Sequence, residues 1–311
     1  MNKTIVFFLL ILFNRAYACD VCGCGAMGQG MGYQPNSELH FIGLGWNFQS
    51  YDFEHPSIPN EPIKTGNDQF QTVSINLRYN VNPRLKLYAF VPYQIVNRLE
   101  SGRNYSYSGL GDIETIIMYN LLVPNSESES AKIGLQLGGG LKLPTGKYNT
   151  EIDQQLIPNL QLGSGSVDVL FHSNLTLETG SRLAINQENR YSWRTANSLD
   201  YKFGNQLDSR LNLLYKLKTG SQSFLLPALG LSFHHRSLDM SEANRNLINR
   251  YSGMQLLNLN IGLNLFINKL SMRVNWSNPL YSHIAKDYVE AKQALNIQLN
   301  YYIKTNNENI K

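Results

Sequence analysis

Residues 257–268 read LNLNIGLNLFIN, and this stretch decides the fold. Leucine or isoleucine occupies every second position, and the residues between them are asparagine or glycine, except for Phe266. A period of two places apolar side chains on one face of a β-strand and polar side chains on the other. Residues 72–79, 132–143 and 207–217 alternate in a similar way, and no segment of comparable length repeats with the period of a helix. The sequence therefore predicts an all-β protein.

The alternating runs and the turn residues between them predict about twelve strands. Strands of 10–16 residues are longer than the usual 5–6 of soluble sheets and suit tilted strands that cross a bilayer. The predicted spans are 39–53, 69–80, 84–97, 109–123, 131–145, 166–178, 181–192, 206–218, 223–236, 253–268, 270–279 and 291–303.

The predicted connections alternate between long and short along the chain. The long ones are 54–68, 98–108, 146–165, 193–205, 237–252 and 280–290. The short ones are 81–83, 124–130, 179–180, 219–222 and 268–269. Barrels of bacterial outer membranes have this asymmetry, with short periplasmic turns and longer outer loops. We therefore expect one antiparallel up-and-down transmembrane barrel over residues 39–303, with both termini in the periplasm; a soluble β-sandwich or jelly roll is the alternative.

Three features of the composition and its distribution agree with a barrel in a membrane. Only 16% of the residues are charged, against about 25% in soluble domains. Aromatic residues lie near the ends of the apolar faces, as interfacial girdles require. The polar faces carry few long aliphatic side chains, which predicts a water-facing lumen.

A formal net charge of only +4 gives no electrostatic basis for binding nucleic acid, so that function class is excluded.

The N-terminal residues 1–18 have the features of an export signal. A short basic start precedes the apolar run 5–13, and Ala16-Tyr17-Ala18 offers a cleavage site of small residues. The apolar run is too short to span a bilayer as a helix. Cleavage would leave a Cys/Gly-rich periplasmic segment at 19–38, the barrel, and a polar C-terminal tail at 304–311.

The three cysteines of the chain, Cys19, Cys22 and Cys24, follow the predicted cleavage site directly. A disulfide suits an exported protein but leaves one thiol over. Clustered thiolates suit a soft metal ion such as copper or zinc. Acylation of Cys19 and a redox thiol pair are the other two interpretations, and the sequence leaves all four open.

Three short motifs resemble a known family. They are residues 109–113 (GLGDI), 140–146 (GLKLPTG) and 161–166 (QLGSGS), the last followed by Asp168. Together they resemble outer-membrane transporters grouped with the phenol-degradation MetA-like barrel family. The N-terminal segment CDVCGCG is similar to that of a subgroup of barrels from Bacteroidetes. The resemblance implies a transporter-like barrel. One departure is that the last predicted strand is followed by a polar tail, so recognition by the barrel assembly machinery would need an internal signal.

Four charged residues fall on the polar faces of consecutive predicted strands, near the ends that carry long loops: Asp112, Glu114, Lys142 and Asp168. Folding the strands back on one another brings Lys142 opposite the two acids of the fourth strand and near Asp168. These residues are either luminal ion pairs that hold the wall or a charged constriction that selects solutes.

We expect no enzymatic activity. His172, Ser173 and Asn174 include the residue types of outer-membrane phospholipases, but contiguous residues point to opposite faces of a strand and do not form one site. His40, His234 and His235 are single residues near strand ends, where a structural role is common. The lead function is a channel or transporter for small solutes in the outer membrane, with lipid and the assembly machinery as partners. The alternatives are a plugged barrel for surface interactions and a metal-handling protein anchored by the barrel.

Overall fold

The structure is a computed structural model that describes residues 31–33, 38–54, 64–123, 131–152, 155–180, 182–220, 222–244 and 248–304. The predicted signal peptide, the three cysteines and the polar tail after residue 304 lie outside the described residues. Within the described ranges, no helix has the length and apolar character needed to cross a membrane.

Twelve antiparallel strands form one closed barrel, which confirms the predicted fold class. Each strand pairs with its neighbours in the chain, and the last pairs with the first, opposite residues including Phe41 and Tyr302. The strands are β1 (His40–Glu54), β2 (Thr65–Asn80), β3 (Leu85–Glu100), β4 (Arg103–Leu110 and Ile113–Leu122), β5 (Ala131–Leu143), β6 (Asp168–Thr179), β7 (Leu183–Trp193), β8 (Gln206–Tyr215), β9 (Ser223–Arg236), β10 (Met254–Ile267), β11 (Leu270–Ile284) and β12 (Val289–Ile303).

Two of the predicted long loops are wrong. In place of a loop at 98–108, β3 continues to Glu100 and turns tightly through Ser101 and Gly102 into the first part of β4. In place of a loop at 280–290, β11 and β12 are joined by the short connection 285–288. Polar residues occur on both faces of these strand ends, so the sequence does not alternate there between apolar and polar residues. The backbone pairing between the strands nevertheless continues.

Short pieces of sheet lie in three of the remaining long connections. Strands Glu151–Ile152 and Gln155–Leu156 pair within the connection between β5 and β6. Tyr201–Lys202, Asp239–Ser241 and Ile248–Asn249 form a three-stranded sheet that joins the connections on either side of β8 and β9. The described parts of these three connections therefore contain regular backbone pairing.

The outward face of the barrel is apolar around its circumference. Ile261 on β10 is 49% exposed, whereas the preceding Asn260 is 1% exposed, so the two residues face opposite sides of the wall as the alternation predicts. Exposed tyrosines cluster at the short-turn end: Tyr79, Tyr119, Tyr215 and Tyr301. An apolar surface of this extent with aromatic residues at its edge is typical of a wall in contact with lipid.

The barrel interior is more apolar than the sequence predicts. One apolar cluster lies inside the short-turn end and includes Met31, Tyr33, Phe41, Tyr88, Phe90, Ile116, Met118, Leu170, Leu214, Leu226, Phe266 and Tyr302. Another lies inside the long-loop end and includes Tyr51, Phe53, Phe70, Val96, Leu160, Leu162, Met254, Leu256, Ile284 and Val289. The polar faces predict a water-facing lumen, whereas apolar clusters lie inside both ends of the barrel. Within each cluster the side chains of the strands pack against one another. Met31 and Tyr33 join the cluster at the short-turn end, and Leu160 and Leu162 join the one at the long-loop end.

Candidate functional site

The segment Met31–Tyr33, called here the inserted segment, lies inside the barrel. The backbone N–H of Met31 donates to Oε1 of Glu188 at 2.7 Å, and that of Gly32 donates to Oε2 of the same carboxylate at 3.2 Å. The side-chain amide of Asn174 donates to the carbonyl of Gly32 at 3.1 Å. Because Glu188 and Asn174 lie on the luminal faces of β7 and β6, these bonds fix the inserted segment against that side of the wall.

The opposite side of the inserted segment meets Arg273 on β11. Its Nη2 donates to the carbonyl oxygens of Tyr33 at 3.3 Å and Met31 at 3.5 Å. Gly32 has φ of +58°, and a Cβ at this position would lie 2.6 Å from Nη1 of Arg273. Both the left-handed backbone and the close approach favour glycine. Residues 31–33 of the predicted periplasmic segment 19–38 thus lie within the barrel, toward its short-turn end.

The side chains of the inserted segment complete the apolar cluster at the short-turn end. Met31 and Tyr33 are both buried there, beside Phe41 and Tyr88. The Tyr33 hydroxyl donates to Glu178 at 2.8 Å, close to the turn between β6 and β7. The inserted segment therefore occupies part of the cross-section between the barrel middle and the short-turn end.

A polar chamber lies beside the inserted segment, along the half of the wall from β8 to β1. It encloses about 930 Å³ free of protein atoms, counting its solvent-filled part. Six asparagines and the two arginines Arg210 and Arg273 line it. The described residues that line it include no aspartate or glutamate. Asparagine amides donate and accept hydrogen bonds, so they can replace the water around a passing polar solute.

The structure brings three of the four predicted charged residues together. Nζ of Lys142 lies 2.6 Å from Oδ2 of Asp168 and 3.3 Å from Oδ2 of Asp112, and all three side chains are buried. Lys142 also donates to Oγ of Ser164 at 2.7 Å. Lys142 is opposite Glu114 in the β4–β5 register, but that carboxylate pairs with Arg190 on β7 at 2.7 Å instead.

Asp112 binds the connection between β5 and β6, called here the mouth loop (residues 144–167). Its Oδ1 accepts the N–H of Gly146 at 3.0 Å, and its Oδ2 accepts both the N–H and the hydroxyl of Ser164 at 2.8 Å. A Cβ on Gly163 would lie 2.4 Å from Oδ1 of Asp112, so this position has no room for a side chain. The three sequence motifs thus meet at one point, where they hold the mouth loop.

The mouth loop turns apolar side chains into the barrel. Leu160 and Leu162 are buried in the cluster at the long-loop end, and the hydroxyl of Tyr107 donates to the carbonyl of Leu160. Ser166 donates to Oδ1 of Asp168 at 2.9 Å, which ties the end of the mouth loop to the start of β6. This geometry favours the interpretation of the charged residues as an anchor over that of a solute-selecting ring.

A second group of polar residues lies deeper on β6 to β9. His234 donates from Nδ1 to Oδ1 of Asp208 at 2.7 Å. His172 is buried, and within the described part of the chain neither of its ring nitrogens has a hydrogen-bond partner. Arg190 and Asp208 are not among the predicted site residues, although they alternate onto the same faces as Glu188 and Arg210.

The candidate lipase residues point in different directions. His172 and Asn174 face the interior, where Asn174 binds the inserted segment. Ser173 lies on the other face and accepts a hydrogen bond from Asn189 at 3.1 Å. His40 stacks on Tyr79 with ring centroids 4.8 Å apart. The described ranges contain no group of three side chains arranged to hold a metal ion.

The fold is similar to those of solved outer-membrane barrels. A COG4313 outer membrane channel from Pseudomonas putida F1 has a TM-score of 0.60 at 15% identity, over 87% of this chain and 100% of that one. The β domain of the Bordetella autotransporter BrkA has a TM-score of 0.48 at 8% identity, over 85% and 99%. The NalP translocator domain from Neisseria meningitidis has a TM-score of 0.40 at 10% identity, over 85% and 88%. No family model and no curated protein matches the chain.

At this identity the likeness to the Pseudomonas channel shows the fold alone, and the two weaker likenesses carry no argument. The barrel implied by the sequence motifs is confirmed. Membership of the phenol-degradation MetA-like family and the Bacteroidetes subgroup remain predictions.

Proposed function

We propose that the protein is an outer-membrane channel for small polar solutes, narrowed by its own inserted segment. The observation that carries this proposal is the amide-lined chamber inside a closed barrel. The chamber presents six asparagine amides, each of which can donate and accept hydrogen bonds. Its donors and acceptors serve a solute that must lose water on entering and regain it on leaving.

The location follows from the outer surface. Exposed apolar side chains recur on the strands around the barrel, and a soluble protein would aggregate through such a surface. The first strand begins and the last strand ends at the short-turn end, which is the periplasmic end in outer-membrane barrels. Lipid of the outer membrane and the barrel assembly machinery are the partners this location requires. Recovery in outer-membrane fractions with heat-modifiable gel migration tests it, and a soluble periplasmic protein would contradict it.

The size of the solute is limited by what fills the barrel. Apolar clusters occupy both ends, and the inserted segment takes up part of the interior between the chamber and the short-turn end. Polar bonds rather than apolar packing alone hold the inserted segment, and water can compete for such bonds. A reversible constriction, rather than a permanently wide pore, fits this arrangement.

Liposome swelling tests the proposal directly. Proteoliposomes in an isotonic solution of L-arabinose should swell faster than protein-free liposomes, whereas those in stachyose, a tetrasaccharide, should not. If proteoliposomes that carry the full mature protein swell in arabinose at the same rate as protein-free liposomes, the channel is contradicted. If removal of residues 19–33 also left the rate unchanged, the plugged surface-interaction barrel would be favoured instead.

The soft-metal site at Cys19, Cys22 and Cys24 stays a prediction, because these residues lie outside the described part of the chain. Thiol counting with and without reductant, combined with elemental analysis of the purified protein, distinguishes bound copper or zinc from one disulfide with a free thiol. Mass spectrometry of the mature N-terminus detects acylation of Cys19. Metal bound to the full protein and lost when these cysteines are replaced by serine would support the metal-handling alternative.

A further inference from the structure

The outward face of the barrel is interrupted by polar side chains on three consecutive strands. They are Ser173 on β6, Gln187 and Asn189 on β7, and Ser209 on β8, called here the polar patch. Gln187 and Asn189 flank Glu188, whose carboxylate faces the interior, so both amides point outward. We infer that the polar patch is the contact surface between two copies of this barrel in the membrane. This inference goes beyond the proposed channel, because it requires a barrel in a membrane but no conduction through it.

The polar patch lies near the middle of the apolar band that faces lipid. Leu183, at the start of β7, is opposite Tyr215 of the short-turn end, and the exposed Trp193 ends the same strand. With a rise of about 3.3 Å per residue and a tilt of about 40°, Gln187 lies about 10 Å and Asn189 about 15 Å from Leu183 along the barrel axis. The apolar band of such barrels is about 25 Å tall, so both amides lie close to its midplane, where water is scarce.

Hydrogen bonds within the polar patch satisfy part of its polar groups. Nε2 of Gln187 donates to Oδ1 of Asn189 and to Oγ of Ser209, both at 2.9 Å. The hydroxyl of Ser209 donates to Oδ1 of Asn189 at 2.8 Å. Nδ2 of Asn189 donates to Oγ of Ser173 at 3.1 Å. The four side chains therefore form one network that fixes their positions on the wall.

Three groups of the polar patch have no hydrogen-bond partner among the described residues. Nε2 of Gln187 uses both of its hydrogens, but no described residue donates to Oε1 of this side chain. Nδ2 of Asn189 uses one of its two hydrogens, and the hydroxyl hydrogen of Ser173 has no described acceptor. Lipid tails offer neither donors nor acceptors, so an unpaired polar group at this depth carries a free-energy penalty. A protein that pairs these groups removes the penalty.

The unpaired groups complement those of a second copy of the same patch. They comprise an acceptor oxygen on Gln187 and donor hydrogens on Asn189 and Ser173, so one patch offers both halves of a hydrogen bond. A twofold axis along the membrane normal keeps every residue at its own depth and brings two such patches face to face. The Gln187 oxygen of each barrel can then accept from the donors of the other. Polar side chains hold membrane-spanning segments together in this way.

The surroundings of the polar patch are suited to close contact between two walls. The register neighbours that border it are exposed and apolar or aromatic: Leu137, Phe171, Leu175, Tyr191, Leu211 and Phe233. Polar groups enclosed by such side chains are shielded from water when two walls meet. Hydrogen bonds across the contact therefore form in a medium of low dielectric constant, where they are stronger than in water.

Sedimentation equilibrium of the full mature protein, in micelles of a detergent matched to the density of the solvent, measures the number of chains per particle. We expect two chains per particle. In the double variant Gln187→Leu with Asn189→Leu, the dissociation constant of the pair should rise at least about tenfold. Leucine suits a lipid-facing position, so this variant should fold, which heat-modifiable migration checks. Gln187→Leu alone replaces it if the double variant does not fold.

The double variant Gln69→Leu with Gln71→Leu is the matched control. These two amides have the same spacing on the outward face of β2, across the barrel from β7, and their replacement should leave the pair intact. A wild-type protein that is monomeric would overturn the inference and leave the polar patch to a different membrane protein. Particles of three or more chains would contradict the twofold pairing.

The two variants also show whether the contact lies at the polar patch. An unaltered dissociation constant in the folded patch variant, or an equal rise in the patch and control variants, would overturn the assigned surface. Liposome swelling, measured on the same preparations, separates the pairing from the channel. A monomer that conducts arabinose would contradict the pairing alone, and a dimer that conducts nothing would contradict the channel alone.

Discussion

Glu188 holds the inserted segment through two backbone N–H groups, and we expect Glu188→Ala to release it. A hydrogen bond to a charged group contributes about 1.5–3 kcal/mol, and the two bonds share one carboxylate, so their effects are not additive. We therefore expect the free energy of releasing the inserted segment to fall by about 3 kcal/mol. A change of this size corresponds to about a hundredfold increase in the released fraction.

Hydrogen exchange followed by mass spectrometry measures this change. The N–H groups of Met31 and Gly32 are protected by Glu188 in the seated state, so their exchange rate reports the released fraction. In Glu188→Ala, exchange in a peptide covering the inserted segment should accelerate by about a hundredfold. The matched control is Glu290→Ala, because the Glu290 side chain is 68% exposed on β12 and should not affect this exchange.

A second variant should also release the inserted segment, by disturbing its contact with Arg273 instead of its contact with Glu188. Gly32→Ala places a Cβ against the Arg273 guanidinium and strains the left-handed backbone, so it should also accelerate exchange. The amides of the inserted segment could instead exchange at the wild-type rate in both Glu188→Ala and Gly32→Ala. That result would refute the binding of the inserted segment to the barrel wall.

Three further predictions test the wall, the mouth and the outer connections. Ile261→Arg should cost about 2–4 kcal/mol of folding free energy in lipid, whereas Ile261→Leu should be tolerated; equal denaturation midpoints would contradict the lipid-facing assignment. Asp112→Ala should cost about 3–5 kcal/mol, because it leaves buried Lys142 short of a partner, and should expose the mouth loop to protease; the exposed Asp287→Ala should do neither. The Ser241 hydroxyl holds the pKa of Asp200 below its ordinary value, so that contact stabilises the fold above pH 3.8 and is lost as the pH falls through the lowered pKa; a carboxyl NMR titration giving an ordinary pKa would contradict this.

The barrel itself could be predicted because its signal is local. Between residues 257 and 265 of β10, each leucine or isoleucine lies on the outward face and each asparagine faces the interior, so the period of two gives both the strand and its faces. Strand ends were less predictable: at Arg98 and Glu100 the chain carries polar residues, yet it still pairs with the following segment. Backbone hydrogen bonds hold these residues in the sheet, and such bonds cannot be recognised from the polarity of the side chains.

The inserted segment could not be predicted from local patterns. Glu188 and Met31 are separated by 157 residues, and nothing near either residue indicates the other. The same applies to Asp112 and Ser164, which share a hydrogen bond across 52 residues. The sequence motifs marked both ends of that contact, but only the folded chain shows that they bind each other.

The apolar interior did have a signal in the sequence. Residues 85–96 of β3 are apolar at most positions of both faces, including Tyr88 and Phe90, which face the interior. A strand that is apolar on both faces is typical of one buried on both sides.

Single-channel recording in planar bilayers tests the central claim most directly. The mature protein should give discrete current steps, and the same protein without residues 19–33 should give larger ones, because removing the inserted segment widens the path beside the chamber. Bilayers that show no current steps with either protein, although both fold and insert, would contradict the channel.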